Sequence, residues 1–389
     1  MLRLFVLAAQ VPIVLLAVYN AVVALWGWRN AAATPRGSRS RLVRIVVPAH
    51  NEEAVVSALV ADLRAQDYPP DRYNVVVVAD RCDDATASAV VKPARAVERL
   101  EGDGGKGSAL AWYLEREPMD AEEVLVILDA DNRVGSSFVS LIVDEFEAGA
   151  TVVQCYLDVA NPGASPLATA SALSYWASNR MVQLARSNLG WSCDLGGTGM
   201  AFTGAALSDA GGFTDDLVED QALGIRLSLT GHVVRWLHEV RIFDEKPSQT
   251  GVAVTQRARW MAGKRVVARS MATTVFDAAI RTRSFALGDV GIRMVQPSRT
   301  FLALVAAILG IAAMASGSSW LLPWWIWVVV VTIVFVMPIA FLWRDHVPAK
   351  YLIQYPLLVI LAILWLPIRI ASSLVRGRWK PTPHSGRET

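Results

Sequence analysis

The stretch Val124-Leu125-Val126-Ile127-Leu128-Asp129-Ala130-Asp131 decides the fold class of this chain. Its consecutive apolar residues are typical of a strand that is buried on both faces, as strands of a parallel sheet are. Two carboxylates follow at once, and side chains two positions apart on extended backbone project to the same side. The stretch therefore predicts an α/β domain with an acidic site at the carboxyl end of a central strand.

Two other short apolar runs, Arg44 to Pro48 and Tyr73 to Ala79, are also followed by polar residues and then by a helical pattern. This repetition predicts a mainly parallel sheet. Ligands of such open sheets bind beyond the carboxyl ends of the strands. We therefore expect one cleft to be lined by the residues after the three runs: Pro48 to Glu53, Asp80 to Asp84, and Asp129 to Asp131.

The pair Asp129 and Asp131 favours a divalent cation. Two carboxylates this close repel each other unless a proton or a cation lies between them. Mg²⁺ or Mn²⁺ would fit, because Mg²⁺ is usually held by one or two carboxylates together with substrate phosphates. A simple turn or helix cap is the alternative for so short a motif. The buried strand that precedes the pair favours the metal.

The segment Gly102 to Gly107 has the glycine spacing of a dinucleotide-binding turn. We reject that function, because Lys92 to Leu100 lacks the pattern of a buried strand. The fingerprint also belongs in the first strand-to-helix turn, which carries Pro48 to Glu53 instead. The glycines are expected to free a loop that brings Lys106 to a phosphate, with a helix over Ser108 to Glu117.

Two later segments carry reactive side chains. Glu219-Asp220 opens a helical pattern over Gln221 to Thr230, where the carboxylates either complement the helix dipole or provide a general base. Gln256-Arg257-Ala258-Arg259-Trp260 offers amide, guanidinium and indole groups, which suit a diphosphate and a sugar. A basic interfacial helix is the alternative for this second segment.

The apolar run Leu4 to Trp26 is long enough to cross a membrane, which takes about 20 residues. A cleaved signal peptide is the alternative, but its apolar core is usually only about 7 to 15 residues long. By the positive-inside rule, the arginines after the run place the next domain in the cytoplasm. These arginines are Arg29, Arg36, Arg39, Arg41 and Arg44.

Three apolar runs near the other end predict about three further spans: Phe301 to Ala315, Trp320 to Trp343 and Tyr351 to Leu366. Pro356 and Pro367 interrupt the last run, which is either a span or a broken, re-entrant segment. The helical run Ala168 to Leu189 fits either an interfacial helix or a helix that faces the core.

The predicted organisation has five parts. A transmembrane helix covers 1–28, a cytosolic domain covers 42–282, and an interfacial helix covers 283–298. A C-terminal transmembrane region covers 299–376, and a polar tail covers 377–389.

Composition agrees with a protein that is partly in lipid. Hydrophobic residues make up 53% of the 389 residues, against about 45 to 50% in soluble domains. The net charge of only +2 gives no reason to expect a nucleic-acid partner. Three scattered cysteines predict reduced thiols and neither a disulfide framework nor a zinc site.

Taken in order, the motifs closely resemble those of the membrane-bound family 2 glycosyltransferases. This family includes cellulose, hyaluronan and poly-N-acetylglucosamine synthases and ceramide glucosyltransferase. The resemblance covers roughly residues 44 to 270. It consists of the spaced D, DxD, ED and QxxRW signature. Pro48 to Glu53 come before the first Asp of the signature, and Lys106 lies between that Asp and the DxD motif. It implies a GT-A-type cytosolic domain attached to transmembrane helices, in the plasma (inner) membrane.

The resemblance implies roles for the residues on the donor side of the cleft. Ala49, Glu52 and Asp80 would hold the uracil and ribose of a UDP-sugar. Lys106 and Asp129 would lie near the nucleotide and its phosphates.

The same resemblance implies the catalytic groups. Asp131 would be the principal metal ligand, assisted by Asp129. In the Glu219-Asp220 pair, Asp220 would deprotonate the acceptor hydroxyl, so that attack opposite the departing UDP inverts the anomeric carbon. Gln256 and Arg259 would stabilise the leaving diphosphate, and Trp260 would form part of the acceptor floor.

The function expected from this resemblance is transfer of a sugar from a UDP-sugar to a hydroxyl acceptor, in building or extending a polysaccharide. A synthase that adds one sugar to a lipid is the alternative, because the predicted membrane region is small for a polymer channel. A channel would require that the protein forms homo-oligomers or assembles with envelope partners. A catalytically inactive scaffold or transporter is a more distant alternative. Val218 stands where the family often has Thr, and Gly196-Gly197-Thr198-Gly199 resembles the acceptor-proximal loop.

Overall fold

A computed structural model of the chain describes residues 1–247 and 250–358. Within them the chain forms an eight-stranded sheet in which all three predicted runs are strands. The strands are β1 (Val43–Ala49), β2 (Tyr73–Asp80), β3 (Arg95–Arg99), β4 (Val124–Ile127), β5 (Arg133–Val134), β6 (Val152–Val159), β7 (Met200–Thr203) and β8 (Val234–Asp244).

The spatial order of the strands is β3-β2-β1-β4-β7-β6-β8-β5. The first four are mutually parallel, which confirms the mainly parallel sheet. Strand β7 is antiparallel to both β4 and β6, and β5 is antiparallel to β8. The apolar runs of β1, β2 and β4 are buried because hydrophobic side chains cover both faces of the sheet.

The helices are α1 (Leu2–Ala24), α2 (Val56–Arg64), α3 (Lys106–Arg116), α4 (Phe138–Glu147), α5 (Pro166–Ser178), α6 (Ala185–Asn188), α7 (Gly204–Asp209), α8 (Glu219–Leu229), α9 (Thr250–Thr282), α10 (Phe285–Val295), α11 (Arg299–Ser316), α12 (Trp324–Phe335), α13 (Met337–Arg344) and α14 (Ala349–Leu352). A 3₁₀ turn, Leu25–Trp28, follows α1, and a π-helical turn, Asn179–Leu184, joins α5 to α6.

Two local expectations need correction. Helix α3 begins at Lys106, two residues before the predicted start, because the glycine loop ends directly in its first turn. Residues Arg95–Arg99 do form a strand, β3, although 92–100 lacked the pattern of one. This strand lies at the edge of the sheet and is only partly buried, so it carries no continuous apolar run.

The run Ala168 to Leu189, for which two interpretations were open, packs against the core of the α/β domain. Leu173, Trp176, Met181 and Leu184 are all buried in the same hydrophobic cluster as strand residues such as Tyr156. Helices α5 and α6 and the π-helical turn between them therefore form one wall of the domain.

Three helical segments in the described part of the chain are long and apolar enough to cross a membrane: Leu2–Trp28, Arg299–Ser316 and Trp324–Arg344. They pack around small residues, with Ala303 and Ala306 buried beside Trp327. The predicted run Tyr351 to Leu366 extends past residue 358, and the polar tail 377–389 lies outside the described residues. Helix α10 occupies most of the segment predicted to be interfacial, and its position at a membrane surface stays a prediction.

One buried ionic cluster joins the α/β domain to α1, the first of these three candidate spans. The carboxylate of Asp289 on α10 accepts two hydrogen bonds from Arg186, at 2.8 and 2.9 Å, and one from Arg293 at 2.9 Å. It also accepts one from the hydroxyl of Tyr19 on α1, at 2.5 Å. The side chains of Asp289 and Arg186 are 0% and 1% exposed. Neither ion therefore has water to replace a lost partner.

Replacement of this carboxylate should destabilise the protein strongly. Asp289→Ala leaves two buried guanidinium groups without their shared partner, which costs about 3–5 kcal/mol. The free energy of unfolding, or the melting temperature, would be measured in detergent. Asp277 is exposed on α9, and Asp277→Ala should change the stability by less than about 0.5 kcal/mol. Equal stability of the two variants would contradict a structural role for the cluster.

Candidate active site

A cleft of about 940 Å³ lies at the carboxyl ends of β1, β2 and β4. Helix α3, the start of α8 and one face of α9 complete its walls. All eleven residues that the motifs predicted line this cleft: Ala49, Glu52, Asp80, Lys106, Asp129, Asp131, Glu219, Asp220, Gln256, Arg259 and Trp260. Residues that lie up to about 210 positions apart in sequence are thus brought to one site.

The end of β4 is held by hydrogen bonds to its main chain. The N–H of Asp129 donates to Asn132 Oδ1 and to Thr198 Oγ1, at 3.0 Å each. The Thr198 hydroxyl in turn donates to Asn132. Asn132 and Thr198 are 0% and 3% exposed, so the three groups form a closed, buried arrangement. It fixes the backbone from which Asp129 and Asp131 project into the cleft.

Lys106 provides a positive charge next to this carboxylate pair. Its ammonium group contacts the carboxylate of Asp129 and donates to the carbonyl of Gly197 at 2.7 Å. Burial, the largest single influence, opposes the charged form, but the nearby carboxylates of Asp129, Glu219 and Asp220 together outweigh it and raise the pKa of Lys106. A Cβ on Gly107 would lie 2.0 Å from the carbonyl oxygen of Thr214. Only glycine therefore lets the start of α3 approach the segment before α8.

On the predicted nucleotide side, Asp80 is buried and already paired. Its carboxylate accepts hydrogen bonds from Arg81 at 3.1 and 3.2 Å and from Arg99 at 3.2 Å. His50 Nδ1 lies 2.7 Å from the Asp80 carbonyl oxygen, and the N–H of Glu52 donates to Thr86 at 2.7 Å. These bonds order the loops after β1 and β2, which carry Ala49 and Glu52 to the rim of the cleft.

The carboxylates of Glu219 and Asp220 lie in the first turn of α8 and face the cleft. Burial raises the pKa of both, that of Glu219 to about 7, with the neighbouring charge of Asp220 as the second cause. The N–H of Gln221 donates to Asp220 Oδ1 at 2.8 Å and fixes that side chain. A Cβ built on Gly197 would be 3.5 Å from the other oxygen, Oδ2. Asp220 thus faces the loop that also receives Lys106.

Helix α9 contributes Gln256, Arg259 and Trp260 from one face. Trp260 also packs against the buried cluster that contains Val218 at the start of α8. A Cβ on Gly263 would lie 2.8 Å from a methyl group of Val218, so α9 approaches α8 closely here. Packing against Val218 therefore sets the distance between the two helices that carry Asp220 and Arg259.

Several polar residues in the cleft were not predicted from the sequence: Asn161, Tyr175, Gln183, Asp194, Lys246 and Lys264. Lys246 donates to Asp244 at 2.5 Å, and its ammonium lies 4.1 Å from the centre of the Tyr175 ring. Lys246 and Asn161 lie just beyond the ends of the parallel strands β8 and β6, so strand-end reasoning could have found both. The other four give no such signal, because their neighbours in the cleft come from distant parts of the chain.

The site fits a divalent cation that is shared with a ligand. The described residues hold no group of three or more His, Cys, Asp or Glu side chains that would cage a metal ion alone. Asp129 and Asp131 both line the cleft, which gives the one or two carboxylates that Mg²⁺ or Mn²⁺ needs when phosphates complete its coordination. Asp129 also contacts Lys106, and the role of Asp131 as the principal metal ligand stays a prediction.

Comparison with known proteins identifies the domain. The family model described as "Glycosyltransferase like family 2" matches residues 40–263. A beta-monoglucosyldiacylglycerol synthase of Trichormus variabilis is 27% identical over 241 residues, which cover 57% of this chain and 48% of the relative. A probable glucomannan 4-beta-mannosyltransferase of Oryza sativa is 26% identical over 264 residues, with coverage of 64% and 47%. The chain thus spans about half the length of these curated relatives.

A solved structure extends the likeness to nearly the whole chain. A mannosyltransferase of Pyrobaculum calidifontis, in complex with GDP-Man and Mn²⁺, superposes with a TM-score of 0.61 at 21% identity. The match covers 92% of this chain and 97% of that one. With the mainly parallel sheet and the acidic cleft at its carboxyl edge, these findings establish that the chain is an enzyme of glycosyltransferase family 2 with a GT-A-type fold.

Proposed function

We propose that this protein is an inverting transferase that moves a sugar from a UDP-sugar to a hydroxyl group of a lipid acceptor at the cytoplasmic face of the plasma (inner) membrane. The proposal rests on the fact that Asp220, Lys106 and Asp129 line the same cleft. Both Asp220 and Lys106 lie against the loop at Gly197. A base and a phosphate-binding group are thus close enough to act on one substrate pair.

In this mechanism Asp220 removes the proton of the acceptor hydroxyl while that oxygen attacks the anomeric carbon on the side opposite the nucleotide. Lys106 and Arg259 hold the diphosphate, and Ala49, Glu52 and Asp80 hold the nucleoside. Asp131, with Asp129, would bind Mg²⁺ or Mn²⁺, which supplies positive charge for the departing diphosphate. Trp260 provides an apolar surface for the acceptor.

The lipid acceptor is supported by the wall of the cleft that faces the membrane helices. Ser178 and Asn179, at the end of α5, line the cleft. The next residue, Arg180, donates to the carbonyl of Gly27 at the end of the first membrane segment, at 2.8 Å. An acceptor in the membrane surface would therefore enter beside this wall. A glycolipid synthase among the curated relatives also supports this choice.

Extension of a polysaccharide is the second candidate function, and the glucomannan mannosyltransferase relatives support it. A single-addition enzyme should release products with one added sugar per acceptor, whatever the excess of donor. Chromatography of products made from labelled donor measures this. A ladder of longer products would favour the polymer instead.

Removal of the principal metal ligand should abolish turnover. UDP release by the purified protein is expected with one donor of a UDP-sugar panel in the presence of Mg²⁺ or Mn²⁺, and it should stop with EDTA. Asp131→Ala should lower the rate about 100-fold or more, because the leaving diphosphate loses its counter-charge. Asp277→Ala serves as the matched control on the exposed face of α9. Full activity of Asp131→Ala in EDTA would rule out a metal at this site.

Replacement of the base should affect chemistry and spare donor binding. Asp220→Asn should lower kcat by about 10²- to 10⁴-fold, with an unchanged Kd for the donor. In the wild type, activity should fall as the pH drops through the pKa of Asp220. Burial raises that pKa, so the fall should begin above pH 4, the usual range of a carboxyl group.

A variant of Lys264 tests whether the ionisation of Asp220 causes this loss of activity at low pH. Burial has the largest influence on the pKa of Asp220 and raises it, and the hydrogen bond from Gln221 has the second largest and lowers it. The charge of Lys264 comes third and also lowers this pKa. Lys264→Met should therefore shift the loss of activity at low pH to a higher pH, which the pH profile of the transfer rate would measure. Normal transfer by a folded Asp220→Asn variant would show that another residue is the base. Failure of the wild type to bind any donor would favour an inactive scaffold.

A further inference from the structure

Asp194 lies in the wall of the cleft and has no part in the donor site described above. It stands just before the loop Gly196 to Gly199, in the segment between α6 and β7. Its side chain is 46% exposed, close to the 42% of Asp129 in the same cleft. Part of the Asp194 side chain is therefore accessible to a ligand in the cleft.

Two side chains hold Asp194 in place. The guanidinium of Arg293 contacts its Oδ1 and also donates to Asp289 at 2.9 Å and to the carbonyl of Ser192 at 2.8 Å. Gln183, in the π-helical turn, accepts from the N–H of Asp194 at 2.9 Å and donates to its carbonyl at 3.4 Å. Both the side chain and the main chain of Asp194 are therefore fixed before any ligand binds.

Charge balance alone explains part of this arrangement. Arg186 and Arg293 are both buried around the single carboxylate of Asp289, so a second anion near Arg293 is favourable. That role would be met equally well by a fully buried carboxylate. The exposure of nearly half of the Asp194 side chain beside the cleft is what a structural role leaves unexplained.

The position of Asp194 relative to Asp220 indicates which substrate it meets. The residue after it, Leu195, packs against Gly224 of α8, where a Cβ would be 3.5 Å from the leucine side chain. The charge of Asp194 also contributes to the raised pKa of Asp220. Lys106 and Asp129, which the proposed function places with the donor, meet beside the carbonyl of Gly197. Asp194 pairs instead with Arg293 and influences the base, so the acceptor is the substrate that it would meet.

The charge of the cleft limits the chemistry of the acceptor. Among the residues that the structure describes, eleven Asp and Glu side chains line it, against four Lys and Arg side chains. A divalent cation and a nucleoside diphosphate nearly cancel each other, so the acceptor side stays negative. Carboxylates accept hydrogen bonds from hydroxyl groups and repel phosphate groups at short range.

We propose that Asp194 is a specificity-determining residue that accepts a hydrogen bond from a hydroxyl group of the acceptor, and that the acceptor has a neutral, hydroxyl-bearing headgroup and no terminal phosphate. The inference rests on the proposed function, of which it names the acceptor class. Arg293 and Gln183 act as positioning residues, because they reach the acceptor only through Asp194.

The test uses the full chain in lipid nanodiscs with its best UDP-sugar donor. Neutral acceptors would be diacylglycerol and a monoglycosyl diacylglycerol. Lysophosphatidic acid, which has a free hydroxyl and a terminal phosphate, would be the phosphate-bearing acceptor. Wild-type protein should use a neutral acceptor at least about 10-fold better, as kcat/KM, than lysophosphatidic acid. Asp194→Asn should raise the KM for the neutral acceptor about 10-fold, since the hydrogen bond loses its charged acceptor. It should leave the donor KM unchanged and reduce the preference over lysophosphatidic acid.

Two further variants separate recognition from folding. Asp194→Glu keeps the charge and should recover most of the acceptor affinity, whereas Asp277→Asn removes a remote surface charge and should change nothing. An unchanged acceptor KM in Asp194→Asn overturns the proposal. So does a fall in donor affinity and melting temperature together, which would mark a structural role. If no nucleotide-sugar is bound or turned over by the wild type, the proposed function fails, and this inference fails with it.

Discussion

Asp129 donates its main-chain N–H to both Thr198 and Asn132, at the place where the sheet changes from parallel to antiparallel pairing. Strand β4 has β1 on one side and β7 on the other, so the loop before β7 returns directly to the carboxyl end of β4. That return brings the Gly197 carbonyl to Lys106 and the backbone of the same loop to Asp220. The groups proposed to bind the donor and the proposed base are therefore built around one shared loop.

Electrostatics explains why the cleft is suited to a charged substrate. Burial raises the pKa of Glu219 and Asp220, and the carboxylates around Lys106, Asp129 first among them, raise the pKa of Lys106. These neighbouring carboxylates repel one another in the unliganded cleft, and a cation with a diphosphate would relieve part of that cost. The same low-dielectric setting that weakens the apo site strengthens the interactions of a bound substrate.

The membrane helices and the α/β domain form one structure in the region described. The Asp289 cluster connects Tyr19 of α1 with Arg186 and Arg293, and Arg293 continues the connection to Asp194 in the cleft. The hydrogen bond from Arg180 to Gly27 reinforces it. The cleft wall therefore has a fixed position relative to the end of the first candidate membrane span, as the proposed lipid acceptor requires.

The sequence by itself determined the strands β1, β2 and β4, the apolar helices and the motif residues from Ala49 to Trp260 that line the cleft, because these signals are local runs and short spacings. It did not reveal edge strand β3, whose exposed residues carry no apolar run, nor the start of α3 at Lys106. Only the tertiary structure placed Asp194 and Gln183 in the wall of the cleft. Arg293 and Asp194 are 99 positions apart, and a contact over that separation depends on how α10 packs against α8 and α9, which no local pattern encodes.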